Sequence, residues 1–348
     1  MKLFKSLLVA PATLGLLAPL SATANEVTIN DFNAVEEIAV TNSRVDGLEA
    51  RLNNFEAGSF SETTSASVGS TFYVGSVENS ATGEATTFSY DFGMDLSTSF
   101  TGEDSLDIAV IGGNASGTAV DDFMGGDDTS DALTLDGVSY TFPLGGATVI
   151  VGDGVGVDDL NTGACAYSAF TDLLSDCGTS NVGGSADSAF AIAYDFDNGF
   201  TLAGGAGGGT GTDGFFTEQD ASTIGLEAAY TADTYGVSVA YTDDEATTYW
   251  SVQAMLAPEG YPSLSVGYET DDDDADAIFA GLTFAEVGPG SVSLGMASTD
   301  LSSDDYYQYE LAYSYPLNDG MTITPGVFIK ETSGDDETGV VVTTSFSF

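Results

Sequence analysis

The 348 residues carry 54 Asp and Glu side chains, two cysteines and no histidine, and that inventory bounds the chemistry open to the chain. Without an imidazole there is no Ser-His or Cys-His nucleophile and no His-ligated metal. Carboxylates remain. A pair of them can hydrolyse a glycoside, but among 54 acids some pair lies close by chance, so none is assigned as catalytic and no enzyme is expected. The run DDDDAD at 271–276 offers the hard oxygen ligands that calcium takes. Adjacent carboxylates with no fixed turn read more simply as a solvated loop. GGTGTDGF at 208–215 matches one unit of a calcium-binding nonapeptide repeat, and a single unit has nothing to stack on. G-x-G-x-G at 152–156 follows a strand pattern but precedes no helix, which argues against a nucleotide site. No cofactor and no metal is expected.

The N-terminus supplies the compartment. Lys2 and Lys5 border the apolar stretch LLVAPATLGLLAPL (7–20), and Ala22-Thr23-Ala24 is an A-x-A site, so residues 1–24 read as a secretory signal cleaved after Ala24. Pro11, Gly15 and Pro19 interrupt the stretch, which is too short to favour a spanning helix. Cys165 and Cys177 close a short loop and, in an oxidising compartment, read as a disulfide that stiffens it. Removing residues 1–24 takes away two of the five bases and no acid, leaving three bases against 54 acids and a net charge of −51. Such a surface repels nucleic acid and anionic lipid headgroups. The chain is nevertheless 43% hydrophobic with 16 Tyr and 21 Phe, enough apolar surface to order itself.

Two kinds of element follow the signal. Over 31–57 apolar residues recur in a heptad-like pattern, with Ile38, Val45, Leu48 and Leu52 as the seam, so residues 25–57 are expected to hold a short periplasmic helix. That helix either packs on the rest of the chain or associates with copies of itself. From Gly58 the period becomes two, as in FSYDFGMDL (88–96), FAIAYDF (190–196) and YQYELAYSY (307–315). About sixteen strands, fourteen to eighteen, are expected between 60–76 and 338–348. The chain holds no other long apolar run, so a membrane form would have to be a barrel, here residues 58–348. Tight turns such as PLNDG (316–320) alternate with longer acidic connections such as 114–131, 207–221 and 269–276. Short turns at one end and long loops at the other are the habit of outer-membrane barrels. The last segment, TGVVVTTSFSF, puts Val340, Val342, Phe346 and Phe348 on one face and Thr343, Ser345 and Ser347 on the other. It reads as the closing strand, with Phe348 at the periplasmic interface.

The runs RVDGLEARLNNFEAGSFSETTSASVGSTF (44–72), DLSTSFTGEDSLDIAVIGGN (95–114), LTLDGVSYTFPLGGATVIVGDG (133–154) and SYPLNDGMTITPGVFIKE (314–331), with VVVTTSFSF at the end, resemble cyanobacterial outer-membrane porins. These are relatives of the carbohydrate-selective porins, also called iron uptake porins. The resemblance implies a sixteen-stranded, transmembrane antiparallel barrel, a homotrimer in outer-membrane lipid, and passage of inorganic ions and small hydrophilic solutes, iron or sugars among them. It also implies that the connection 153–186 folds into the lumen as the constriction, lined by Asp158, Asp159, Asp172 and Asp176. The alternative for that loop is an outside position with solvated acids. The chain departs from the family in lacking a surface-layer-homology domain between Ala24 and the helix, and in having Lys330 as the barrel's only base. These departures weaken what the resemblance implies about peptidoglycan attachment and solute preference, and the many carboxylates with almost no opposing base lead to an expected cation preference. The rival class is a secreted, acidic, calcium-binding surface-layer protein. If the seam assembles trimers, deleting residues 31–56 weakens the oligomer in mild detergent and leaves the circular-dichroism β signal unchanged.

Overall fold

In the computed structural model the alternating segments become sixteen antiparallel strands. They are β1 (Thr64–Glu78), β2 (Thr87–Thr98), β3 (Ser105–Gly113), β4 (Thr134–Leu144), β5 (Ala147–Asp153), β6 (Ser188–Asp195), β7 (Phe200–Gly208) and β8 (Thr223–Ala232). The second half comprises β9 (Tyr235–Asp243), β10 (Thr248–Leu256), β11 (Ser263–Asp271), β12 (Asp276–Val287), β13 (Gly290–Asp300), β14 (Tyr306–Asn318), β15 (Met321–Lys330) and β16 (Glu337–Ser347). The structure describes residues 64–347 apart from 116, 180–181, 183–187, 210–215, 217–221, 273–274 and 301–305. The chain divides into Met1–Ser61 and Glu62–Phe348. The helical seam Ile38, Val45, Leu48 and Leu52, the signal segment and Phe348 lie outside the described residues, as does most of 208–215.

Each strand pairs with its sequence neighbours, and β1 also pairs with β16, from Gly69 opposite Ser347 to Glu78 opposite Thr338. The sheet therefore closes and leaves no row of unpaired backbone groups. Register shifts fall at Ala109/Val110, Phe284/Val287, Ser298/Asp300 and Pro316/Asn318. Pro316 has no N–H to give the ladder, and a bulge is where a strand tolerates that loss.

The two faces are inverted relative to a water-soluble protein. Leu202, Leu226, Val237, Val239, Val252, Val266, Leu311, Val327 and Val340 point outward and are exposed, Leu226 at 54% and Val340 at 55%. Ser238, Ser251, Ser265, Glu227, Glu269 and Glu310 point inward and are buried. Aromatic pairs mark the short-turn end at Tyr194–Phe196 (4.8 Å), Phe200–Tyr230 (4.8 Å) and Tyr230–Tyr235 (5.9 Å). Tyr241–Trp250 (4.8 Å) and Tyr307–Tyr309 (6.3 Å) mark the long-loop end. Phe346 belongs to the first set and meets the Phe72 ring edge-on at 5.9 Å. An apolar band between two aromatic rims is the surface a hydrocarbon layer covers.

Two expectations need correction. Connection length sorts by end with exceptions: 79–86, 114–133, 154–187 and 209–222 face the tight 145–146, 196–199 and 233–234, and 301–305 and 331–336 face the tight 288–289 and 319–320, but 99–104 lengthens the short-turn end. Beyond β9 the connections 244–247 and 272–275 are short, and 257–262 at the opposite end is longer than either. Residues 269–276, read as a long acidic loop, are half ladder: Glu269 stands opposite Ala277 and Thr270 opposite Asp276, and the Asp271 N–H bonds the Ala275 carbonyl at 3.0 Å. Strand pairing uses the backbone, so it continues where the apolar pattern has ended.

The inner wall is also less uniformly polar than the strand pattern implied. Val341, on the same face as Thr343 and Ser345, is fully buried with Val77 and Phe328. They pack on Ala119, Val120 and Phe123 of the connection 114–133, whose one helical turn, α1 (Asp121–Met124), lies against the wall with Phe123 and Phe328 rings 4.4 Å apart. That connection is folded inward, and Gly125 ends its helix in the left-handed region at φ 62°.

Val239 lies midway along β9, so Val239→Arg is expected to destabilise the lipid-embedded barrel by about 2–4 kcal/mol, as buried cations do at a bilayer midplane. Denaturant unfolding from vesicles measures it, and a water-exposed surface would show almost no change.

Candidate functional site

Backbone groups that leave the sheet inside a barrel need partners from the wall, because an unmet buried N–H is costly. The connection 154–187 finds them on the inner faces of β8, β10, β11 and β14. Glu227 on β8 accepts the N–H groups of Thr162 (2.6 Å) and Gly163 (2.8 Å). Gln253 on β10 accepts from the Ala164 N–H at 2.8 Å and donates its amide to the Asp176 carbonyl (2.8 Å) and the Thr179 hydroxyl (2.7 Å). On β11, Ser265 accepts from the Ala166 N–H (2.8 Å) and Glu269 from the Val182 N–H (3.1 Å). Glu310 on β14 accepts four donors: the Phe170 and Thr171 N–H groups at 2.8 Å each, the Thr171 hydroxyl at 2.5 Å and the Tyr167 hydroxyl at 2.7 Å. The connection thus crosses the barrel interior.

Close approach is possible because the wall lacks side chains where the loop touches it. A Cβ at Gly267 would collide with the Cys177 carbonyl, and one at Gly326 with the Phe170 ring. Glycine inside a strand often marks such an approach. Cys165 and Cys177 are joined by a disulfide with Cα atoms 5.9 Å apart. Between them the chain forms a kinked 3-10 segment, Asp172–Gly178, in which Asp176 and Cys177 take positive φ of 49° and 53°. Non-glycine residues held there cost energy that surrounding contacts must offset.

The four candidate acids separate in space. Asp158 and Asp176 share a lumen cavity of about 280 Å³ with Glu227, Gln253, Ser238 and Ser251. Asp158 is half-buried; burial pushes its carboxyl up to about 6, with repulsion from Asp159, Asp176 and Glu227 adding to the shift. Asp159 adjoins Asp158 across Gly156, and the protein crowding around it also raises its carboxyl. Asp172 points elsewhere, its carboxylate lying against Gly125 at the contact between the two inward loops. A second cavity, about 240 Å³, lies beside Phe170 and is walled mainly by hydroxyls, among them Ser293, Ser314, Thr324, Thr343 and Ser345.

Sequence reasoning missed Glu227, Gln253, Glu269 and Glu310, and it missed the inward fold of 114–133. There Asp91 on β2 accepts from the Asp127 N–H at 2.8 Å and from the Tyr73 hydroxyl, and burial raises the carboxyls of Asp121 and Asp127. A signal did exist: in GLEAAY (225–230) and YELAY (309–313) a lone Glu sits on the small-residue parity of a strand, which aims it inward. Lys330, the only base among the described residues, sits with its Nζ 5.3 Å from the centroid of the Phe123 ring. Among the described residues no group of three or more acids and cysteines is arranged to hold a metal ion.

Carboxyl infrared or NMR titration of the folded protein is expected to show Asp158 ionising near pH 6, charged above and neutral below. Asp159→Asn removes a repelling charge and lowers that midpoint. A midpoint at the ordinary carboxylate value of about 3.9 contradicts the buried setting.

No protein-family profile matches the chain. An uncharacterized protein of Nostoc sp. is 32% identical over 154 residues, 37% of this chain and 27% of that protein, so the chain spans about a quarter of that curated relative. Solved barrels superpose more completely. OprB of Pseudomonas putida aligns with a TM-score of 0.61 at 11% identity, covering 82% of this chain and 94% of its own. OmpT, an outer membrane protein of Vibrio cholerae, with its loop L8 deleted, aligns at 0.60 and 13% identity, covering 82% and 99%. A mutant porin of Rh. blastica aligns at 0.57 and 15% identity, covering 82% and 100%. At these identities the likeness establishes a shared fold, that of a sixteen-strand porin-like barrel.

Proposed function

We propose that the chain is an outer-membrane porin through which inorganic ions, cations in preference, and small hydrophilic solutes diffuse passively. One observation carries the reading: a closed barrel is apolar all round its outside while two connections fold within it and leave polar cavities, one of them lined by acids. Only closed barrels and helices satisfy their backbone in lipid. The signal-like N-terminus and the porin folds that superpose on the chain support the same location. In this reading the chain assembles as a homotrimer, the helix 25–57 assists on the periplasmic side with the short turns, and iron or sugars rest on family resemblance alone.

Cation preference follows from sign and enclosure. The lumen wall offers Asp91, Asp95 and Asp107, the inward loop adds Asp158, Asp159 and Asp176 beside Glu227, and Lys330 is the one opposing base of the described residues. Fixed charge of one sign between low-dielectric walls concentrates counter-ions and repels co-ions. Added salt shortens the screening length from about 10 Å at 0.1 M to about 3 Å at 1 M, so the preference weakens. Acids at the narrowest point keep most of their effect.

The purified protein in planar bilayers under a low-salt KCl gradient is expected to give a reversal potential favouring K⁺. Joint Asp158→Asn and Asp176→Asn substitution reduces it, and Asp172→Asn changes it least of the candidate acids. An anion-preferring or unselective channel overturns the proposal.

A further inference from the structure

We infer that Glu310 is a positioning residue for permeation: it fixes the segment 167–171 of the inward loop against β14 and so sets the bore of the channel. The inference rests on the porin reading above. Glu310 is 2% exposed and covered by the segment it holds, so a passing ion does not meet it. Its four donors all come from Tyr167, Phe170 and Thr171, against two donors described for Glu227. A carboxylate facing only donors is a strong acceptor, and the charge that burial would otherwise penalise is met by them.

The surroundings converge on the same segment. The Gln308 side-chain amide donates to the Thr171 hydroxyl at 2.6 Å, so Thr171 is held from two positions of one strand. The Phe170 ring fills the space left by Gly326 and closes the cluster that also buries Phe328, Val341 and α1. Burial and the Glu310 charge raise the Tyr167 phenol, so Tyr167 remains a donor throughout the working pH range. Both inward loops thus meet where Glu310 holds the chain. Replacing its carboxylate by an amide turns an N–H₂ toward backbone donors that cannot reverse.

Glu310→Gln in the full chain, recorded as single channels, is the test. The loss of charge-assisted bonds is expected to raise the fraction of time spent at a larger conductance about tenfold. The reversal potential of the base level stays as in the native protein. Asp158→Asn gives the reverse pattern, a shifted reversal potential without the new level. A Glu310→Gln barrel with the native record overturns the inference. Should that variant not assemble, Tyr167→Phe, which removes one of the four bonds, takes its place: a change in the same direction supports the inference and a native record overturns it. Should the native protein form no channel, the porin reading fails while anchoring remains open to test. Hydrogen exchange at the Phe170 and Thr171 amides then decides, about tenfold faster in the variant if Glu310 anchors them and unchanged if it does not.

Discussion

A sheet rolled on itself loses its free edges only when first and last strands meet in register, and here that meeting runs from Gly69 opposite Ser347 to Glu78 opposite Thr338. Everything else depends on it. Closure satisfies the backbone without water, which permits the outer face to be apolar from Leu202 on β7 to Val340 on β16. It also creates an interior whose wall and loops must satisfy each other.

That second requirement explains why the deepest carboxylates are in the wall rather than in the loop. Glu227, Glu269 and Glu310 rise from three strands and receive backbone N–H groups of the inward connection, which pairs with no strand where they bond it. Their charge is spent on donors of the protein. Asp158 and Asp176 face the cavity that Glu227 also lines, and in the proposed porin they are the acids placed to act on solutes. In the proposed channel, anchors and selectivity acids are therefore different residues, although all are carboxylates of one negatively charged interior.

Strands were legible in the sequence because an aromatic or aliphatic residue at every second position survives any register. FAIAYDF and YQYELAYSY lie within or across strand segments for that reason. The path of the inward loops was not legible. Glu310 and Phe170 are separated by 140 residues, and nothing local in either announces the other. The same holds for Val341, whose inward turn makes sense only beside Phe328 and Phe123. Nor does composition separate Asp172 from Asp158, since only the fold brings Gly125 to the one and Glu227 to the other. Acid-rich 269–276 misled in the opposite way, because polar composition suggested a loop where backbone pairing continued.

In the proposed porin the inward connection 154–187, and not the barrel wall, is the narrow and selective part of the channel. Single-channel recording of a chain with residues 158–179 excised tests it most directly, since β5 and β6 remain joined and the wall remains closed. A larger conductance with a weakened K⁺ preference is the predicted result. Native conductance and native selectivity in that shortened chain would contradict it.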